Sequence, residues 1–190
     1  MKLEDYKILN TYALYDGIYL GVIWTGAFVC FLGAAYFAFL AQFNTMLILC
    51  TPFFVAYRMR LMRDKSLEGF ISFKQGMLYC FRVYFTGALI LGIIQYLYFK
   101  FLDNGRMLQS MIAVIQSKEG GEIIKSYGYK IEEAISILPQ VFTPQNIVFG
   151  SFIYEMILGF FLSIITCLIL KRSIPTVSYT HLTLPTKRIV

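Results

Sequence analysis

Three ionisable side chains lie within long apolar stretches of this sequence, and they are the residues best placed to do chemistry: Asp16, Arg82 and Glu155. A charge inside a bilayer is costly, so such residues turn inward, pair, or mark an ion or proton pathway. Glu155 lies too deep in the last stretch for its short side chain to reach water. It must therefore be neutral, paired or directed at a cavity. Proton or cation binding and a hydrogen bond to Gln95 or a tyrosine are the two alternatives.

Asp16 and Arg82 lie closer to the ends of their stretches. Arg82 follows Lys74 by about two helical turns, and its long apolar stem lets the guanidinium reach the membrane surface. It can also meet Asp16. We therefore predict that both residues are interfacial anchors or members of an ion pair.

Other catalytic patterns are missing from the sequence, which has no glycine-rich phosphate loop, no His-Glu-x-x-His helix and no serine elbow between glycines. The four cysteines fall in apolar runs without close spacing, so they predict neither a disulfide framework nor a zinc site. The single histidine, His181, lies in an atypical tail. We predict no catalytic residue, no metal and no cofactor.

The composition indicates a membrane protein, since 58% of the 190 residues are hydrophobic and only 15% are charged. A soluble domain is about half apolar and about a quarter charged. The isoelectric point of about 9.1 reflects basic residues beside the apolar stretches. Lipid head groups are therefore the expected partner, and nucleic acid is not.

The apolar stretches are long enough to cross a bilayer, which requires about 20 helical residues. The first has twice that length and must fold back as a hairpin, with its turn near Ala34 to Gln42. These stretches predict an all-α fold, an integral membrane four-helix bundle, and they cover residues 16–57, 76–99 and 147–170.

Polar residues mark where the last two spans begin. Ser72 and Gln75 form a capping box at the start of the third helix. Thr143 followed by Pro144 is typical of a helix N-terminus. Both spans therefore have defined starts.

The outer helical segment, about 100–143, links the third and fourth spans. Apolar residues recur in it at helical spacing before and after Gly120-Gly121, which predicts two short amphipathic helices. They would lie on the membrane surface or the mouth of the bundle, or serve as a docking surface or lid.

Small residues predict which helix faces pack together, because they allow close approach of helices in a membrane. Gly17-x-x-x-Gly21, followed by Thr25, forms a small stripe on the first helix. A matching stripe on the fourth comprises Ser151, Glu155, Gly159, Ser163 and Thr166.

Basic residues predict the orientation, because Lys and Arg beside spans stay in the cytoplasm. The loop 58–74 carries five basic and two acidic residues, whereas the segment 100–143 is balanced. The protein is therefore expected in the bacterial inner membrane as a multi-pass protein with both termini cytoplasmic. The leader 1–10 is acidic as well as basic, which favours a retained anchor over a cleaved signal.

The polar, Thr-rich run 177–190 breaks this pattern and resembles translated read-through of a transposon-end sequencing adapter. We expect it to be a non-native tail, with the natural C-terminus missing beyond about Thr176. Residues 1–176 are then a single four-span transmembrane domain.

Several motifs together resemble the domain-of-unknown-function family 4199, small four-span inner-membrane proteins of Bacteroidetes. The similarity covers about residues 4–173 and implies an architecture and a lineage, without catalytic residues to transfer. The motifs are Tyr12-Ala13-Leu14, the run Gly17 to Gly21, the loop Tyr57 to Lys65 with its sequel Gly69 to Phe73, and Tyr98 to Asp103.

The sequence thus favours a non-enzymatic accessory or structural membrane subunit, which predicts a stoichiometric partner. The possible protein partners of the chain are another membrane protein or further copies of itself as a homo-oligomer. The alternative is an oligomeric transporter of a small solute or ion that uses Glu155. A membrane enzyme ranks third.

Overall fold

A computed structural model of the protein describes residues 3–172, with side chains from Tyr6 onward. The expected tail 177–190, with His181, lies outside these residues. Within the described part the chain forms seven helices: α1 (Leu3–Gly33), α2 (Phe39–Ser66), α3 (Phe73–Phe101), α4 (Arg106–Gln116), α5 (Lys118–Ser126), α6 (Ile131–Val141) and α7 (Pro144–Leu170).

The four long helices α1, α2, α3 and α7 are each long and apolar enough to cross a membrane. The predicted all-α fold with four spans is therefore confirmed, and the protein is a multi-pass membrane protein. The chain reverses between α1 and α2 at residues 34–38, inside the predicted turn.

Both predicted helix starts are confirmed. The Ser72 hydroxyl accepts from the Gln75 backbone N–H at 3.3 Å, and the Gln75 side chain accepts from the Ser72 N–H at 2.9 Å. The Thr143 hydroxyl accepts from the Asn146 N–H at 3.3 Å, and Pro144 occupies the first turn of α7. These bonds satisfy amides that the first turn of a helix leaves unpaired.

The interpretation of residues 58–74 as a loop was wrong over its first half, because α2 continues to Ser66. Leu61 and Met62 extend its apolar side, and Arg and Lys are good helix formers. The helix ends where Glu68 and Gly69 take positive φ angles of 53° and 81°. Arg58 is consequently a helical residue that faces the other spans.

The number of short helices was also wrong, since three helices rather than two occupy 106–141. Ser117 caps α5, accepting from the Gly120 N–H at 3.1 Å. The Gly120-Gly121 pair therefore begins a helix and does not separate two. The breaks lie at Ser117, before α5, and at Gly128, after it. The φ of Gly128, 82°, is a conformation that glycine adopts readily.

The central element of the bundle is α3, which packs against α1 on one side and α7 on the other. α2 packs mainly on α1 and touches α7 much less. Two ends can be distinguished. One end, here called the hairpin end, carries the turn 34–38 and helices α4–α6. The opposite end, here called the clasp end, carries residues 63–72 and the end of α7, which contact each other there.

Candidate functional site

A buried polar cluster joins three spans in the clasp half of the bundle. Asp16 on α1 has no exposed surface. Its Oδ1 accepts from Arg58 Nε of α2 at 2.6 Å and forms an ion pair with Nη2, while the Tyr79 hydroxyl of α3 donates to Oδ2. The Arg58 guanidinium also lies 5.5 Å from the ring centroid of Tyr19, which suits a cation–π contact. Both oxygens of the Asp16 carboxylate thus have partners within the chain.

Arg82 does not join this cluster. Its Nη1 lies 3.3 Å from the Tyr6 hydroxyl, to which it donates. The idea that Arg82 could meet Asp16 was wrong, because the continued α2 helix brings Arg58 to that carboxylate. The sequence reading missed this partner by ending the second span at Tyr57.

A second polar group at the clasp end was missed altogether. Arg63 is only 3% exposed, and its Nη1 donates to the Leu170 carbonyl at 2.9 Å. Its Nε donates to Asp64 Oδ1 at 2.7 Å. Ile71 and Arg172 exchange two backbone hydrogen bonds of 3.0 Å beside it. Together these contacts, here called the clasp, hold the C-terminal end of α7, whose free carbonyls favour a cation.

The small stripes of α1 and α7 meet α3 rather than each other. A Cβ added to Gly17 would lie 2.5 Å from Thr86 Cβ of α3, and one on Gly21 would lie 2.9 Å from Ile90 Cβ. On α7 a Cβ on Gly159 would lie 2.7 Å from Tyr84 Cγ.

Two serines of the α7 stripe are also engaged. Ser163 is buried and donates to the Gly159 carbonyl at 2.6 Å. Ser151 donates to Gln95 Oε1 of α3 at 2.7 Å. The predicted partner of Glu155, the Gln95 side chain, is thus held by Ser151 instead.

Glu155 faces a cavity of about 330 Å³ in the hairpin half of the bundle. Its carboxyl is half-buried and has no hydrogen-bond or ion-pair partner among residues 3–172. The cavity is lined by residues of all four spans, including residues 24–31 of α1 and 84–99 of α3, and by Met107 of α4. The walls are mainly apolar, and the aromatic lining residues are Trp24, Phe28, Phe31, Tyr84, Phe99 and Tyr154.

Besides Glu155, the lining residues with polar side-chain groups are Trp24, Asn44, Thr51, Tyr84, Gln95 and Tyr154. The Trp24 indole Nε1 donates to Thr51 Oγ1 at 3.0 Å, so both are satisfied. The Tyr84 hydroxyl is buried without a hydrogen-bond partner in the described part of the chain. Buried hydroxyls usually have partners, so the Tyr84 hydroxyl is an exception among the described residues.

The arrangement can bind an apolar molecule that carries one polar group. Its lining stops at the middle of the bundle, because the clasp half is filled by the packed core around Met59, Val83 and Cys167 and by the Asp16 cluster. No group of three or more metal-ligating side chains occurs in the described residues. The site is therefore a cavity between the spans with a single carboxyl, and it opens at the bundle surface, where its lining residues Ile48 and Tyr154 are exposed.

Fold and site together define a four-span membrane helical-bundle protein with an acidic intramembrane cavity. The chain belongs to the family described as "Protein of unknown function (DUF4199)", whose model matches residues 14–172. The resemblance inferred from the sequence motifs is thereby confirmed. No curated protein and no solved structure matches the chain.

Proposed function

We propose that this protein is a non-enzymatic accessory or structural subunit of the bacterial inner membrane, with both termini in the cytoplasm. The observation that carries the proposal is how three charged side chains in the clasp half of the bundle are used. Asp16, Arg58 and Arg63 are committed to contacts between helices, as expected for residues that fix an architecture.

The surface of α2 supports an association with another membrane protein. This helix is the least buried of the four spans, and its Leu49 and Phe53 are 65% and 76% exposed. A partner helix could pack on this face, since association in lipid depends on packing rather than on hydrophobicity.

Native mass spectrometry of the N-terminally tagged full chain in mild detergent tests the proposal. We expect a fixed ratio with another membrane protein, and loss of that partner when Leu49 and Phe53 are changed to Ala. Ile93→Ala on α3, which is 60% exposed, is the matched control and should keep the partner. Repeated isolation of a homogeneous homo-oligomer would contradict the accessory role.

A transporter of a small solute or ion is the second candidate, and the position of Glu155 in the cavity favours it. Transport requires that Glu155→Gln abolish flux in liposomes while the helical content stays unchanged. Flux equal to that of the native chain would exclude this use of Glu155.

A further inference from the structure

We infer that the cavity around Glu155 is a binding site for a small lipophilic organic cation, such as an amine or quaternary ammonium compound with an apolar body. The inference concerns binding alone, so it depends on neither the accessory nor the transport role. It is carried by three features of the cavity: charge, wall chemistry and size.

Charge comes first. Glu155 is the only acidic residue of the lining, and no Lys or Arg of the described chain contributes to it. A carboxylate held in apolar surroundings without a partner is strongly unfavourable. A cation brought by the ligand would remove that cost, whereas an anion would increase it. The structural carboxylate of Asp16 differs from that of Glu155, because Arg58 and Tyr79 provide hydrogen-bond partners for both of its oxygens.

The walls suit the same ligand class. Trp24, Tyr84 and Tyr154 line the cavity together with three phenylalanines. The electron-rich faces of aromatic rings attract organic cations, and aromatic cages are a common way to bind quaternary ammonium groups. The apolar remainder of the ligand would gain from burial against Ile48 and Leu91.

Size limits the ligand further. A volume of about 330 Å³ lies at the lower end of the range of about 300–1,000 Å³ found for small-molecule pockets. A whole phospholipid is much larger. An amphiphilic cation with one aromatic ring or a short alkyl chain fits both this volume and the single carboxyl.

Trp24 provides the measurement, because it is the only tryptophan in the chain and lines the cavity. The full chain in phosphatidylcholine liposomes, which add no other tryptophan, would be titrated with phenylbutyltrimethylammonium while Trp24 emission is recorded. We expect a saturable change. The uncharged isostere, in which tert-butyl replaces trimethylammonium, should produce none at the same concentrations.

Two variants make the test specific. Glu155→Gln keeps the side-chain volume and should weaken binding about tenfold or more, because a contact with a charged group is lost. Ala27→Leu fills the cavity, which Ala27 lines, without removing a polar group, and should also abolish the response. Glu122→Gln, an exposed site on α5, is the control and should bind like the native chain.

Circular dichroism establishes that each variant is folded before it is titrated. Equal responses to the cation and its isostere would overturn the inference. Unchanged binding in Glu155→Gln, or the lack of any saturable response in the folded native chain, would overturn it as well.

Discussion

At the scale of single residues, the intramembrane carboxyls differ in whether the chain supplies their partners. Asp16 is enclosed by Arg58 and Tyr79, whereas Glu155 faces a cavity without a partner in the described chain. The first arrangement stabilises the bundle and the second leaves a group able to bind. The same side-chain chemistry therefore has two roles, decided by what packs around it.

Asp16→Asn should destabilise the protein by about 3 kcal/mol, because removing one member of a buried ion pair leaves the other uncompensated. Thermal unfolding in detergent, followed by circular dichroism, measures the loss. The variant Asp16→Leu, Arg58→Met, Tyr79→Phe replaces the whole cluster and should recover much of the loss, since apolar replacement of a buried pair is often tolerated. A native-like melting temperature for Asp16→Asn would contradict a structural role for the cluster.

At the scale of elements, α3 organises the molecule because small residues let its neighbours approach closely. Gly17 and Gly21 of α1 lie against Thr86 and Ile90, and Gly159 of α7 lies against the ring of Tyr84. Close packing of this kind is the main source of helix association in a membrane. Side chains added at these contacts should separate the helices.

Gly159→Ala should cost about 1–3 kcal/mol, because overpacking forces neighbouring side chains to move and the new Cβ would lie 2.7 Å from Tyr84 Cγ. Gly150→Ala on the same helix is the matched control, since nothing lies within 4 Å of its added Cβ. Alanine is the better helix former, so this control should be neutral or stabilising. Equal unfolding temperatures for the two variants would argue against the Tyr84 contact.

The clasp is a second contact between helices, since it joins the end of α2 to the end of α7. Arg63→Met keeps the apolar stem but removes the hydrogen bonds to Leu170 and Asp64. We expect a loss of about 1–3 kcal/mol and faster hydrogen exchange at the Ile71 and Arg172 amides, whose bridge lies beside Arg63.

Arg60→Met is the control for the clasp. Arg60 is 67% exposed and forms only a surface ion pair with Asp64 at 3.6 Å, and such pairs contribute little. If hydrogen exchange at the Ile71 and Arg172 amides were no faster in Arg63→Met than in Arg60→Met, the clasp would not hold α7.

At the scale of the whole molecule, the four spans separate two unlike ends. The clasp end carries most of the basic residues around α2 and α3, and the hairpin end carries α4–α6 with balanced charge. The excess of Lys and Arg near spans sets orientation. The clasp end is thus expected in the cytoplasm, with the Glu155 cavity in the outer half of the membrane.

A cysteine on the segment between α3 and α7 tests this orientation. Ser117 caps α5, so Lys118→Cys, next to it and exposed, leaves the cap intact. In a background with the native cysteines replaced by Ala, it should react with an impermeant thiol reagent applied to intact spheroplasts. Protection there, with reaction only after lysis, would reverse the orientation.

The sequence by itself determined that there are four spans, where the last two begin, and which polar residues lie inside the apolar stretches. Apolar length, capping boxes and small-residue spacing are local properties of a chain in a bilayer, so they can be read directly. The continuation of α2 past Tyr57 was missed, because the charged residues there were taken as a loop although Arg and Lys are good helix formers. The break at Gly128 was missed, because Gly120-Gly121 was taken as the boundary between helices.

Only the tertiary structure decided which residues meet. Arg58 rather than Arg82 pairs with Asp16. Ser151 rather than Glu155 donates to the Gln95 oxygen. Arg63, which the sequence offered only as evidence of orientation, donates to the Leu170 carbonyl at the end of α7. Partner choice depends on how the helices rotate and pack against α3, which no local pattern encodes. The Glu155 cavity arises for the same reason, as space left where α2 and α7 do not close over α1 and α3.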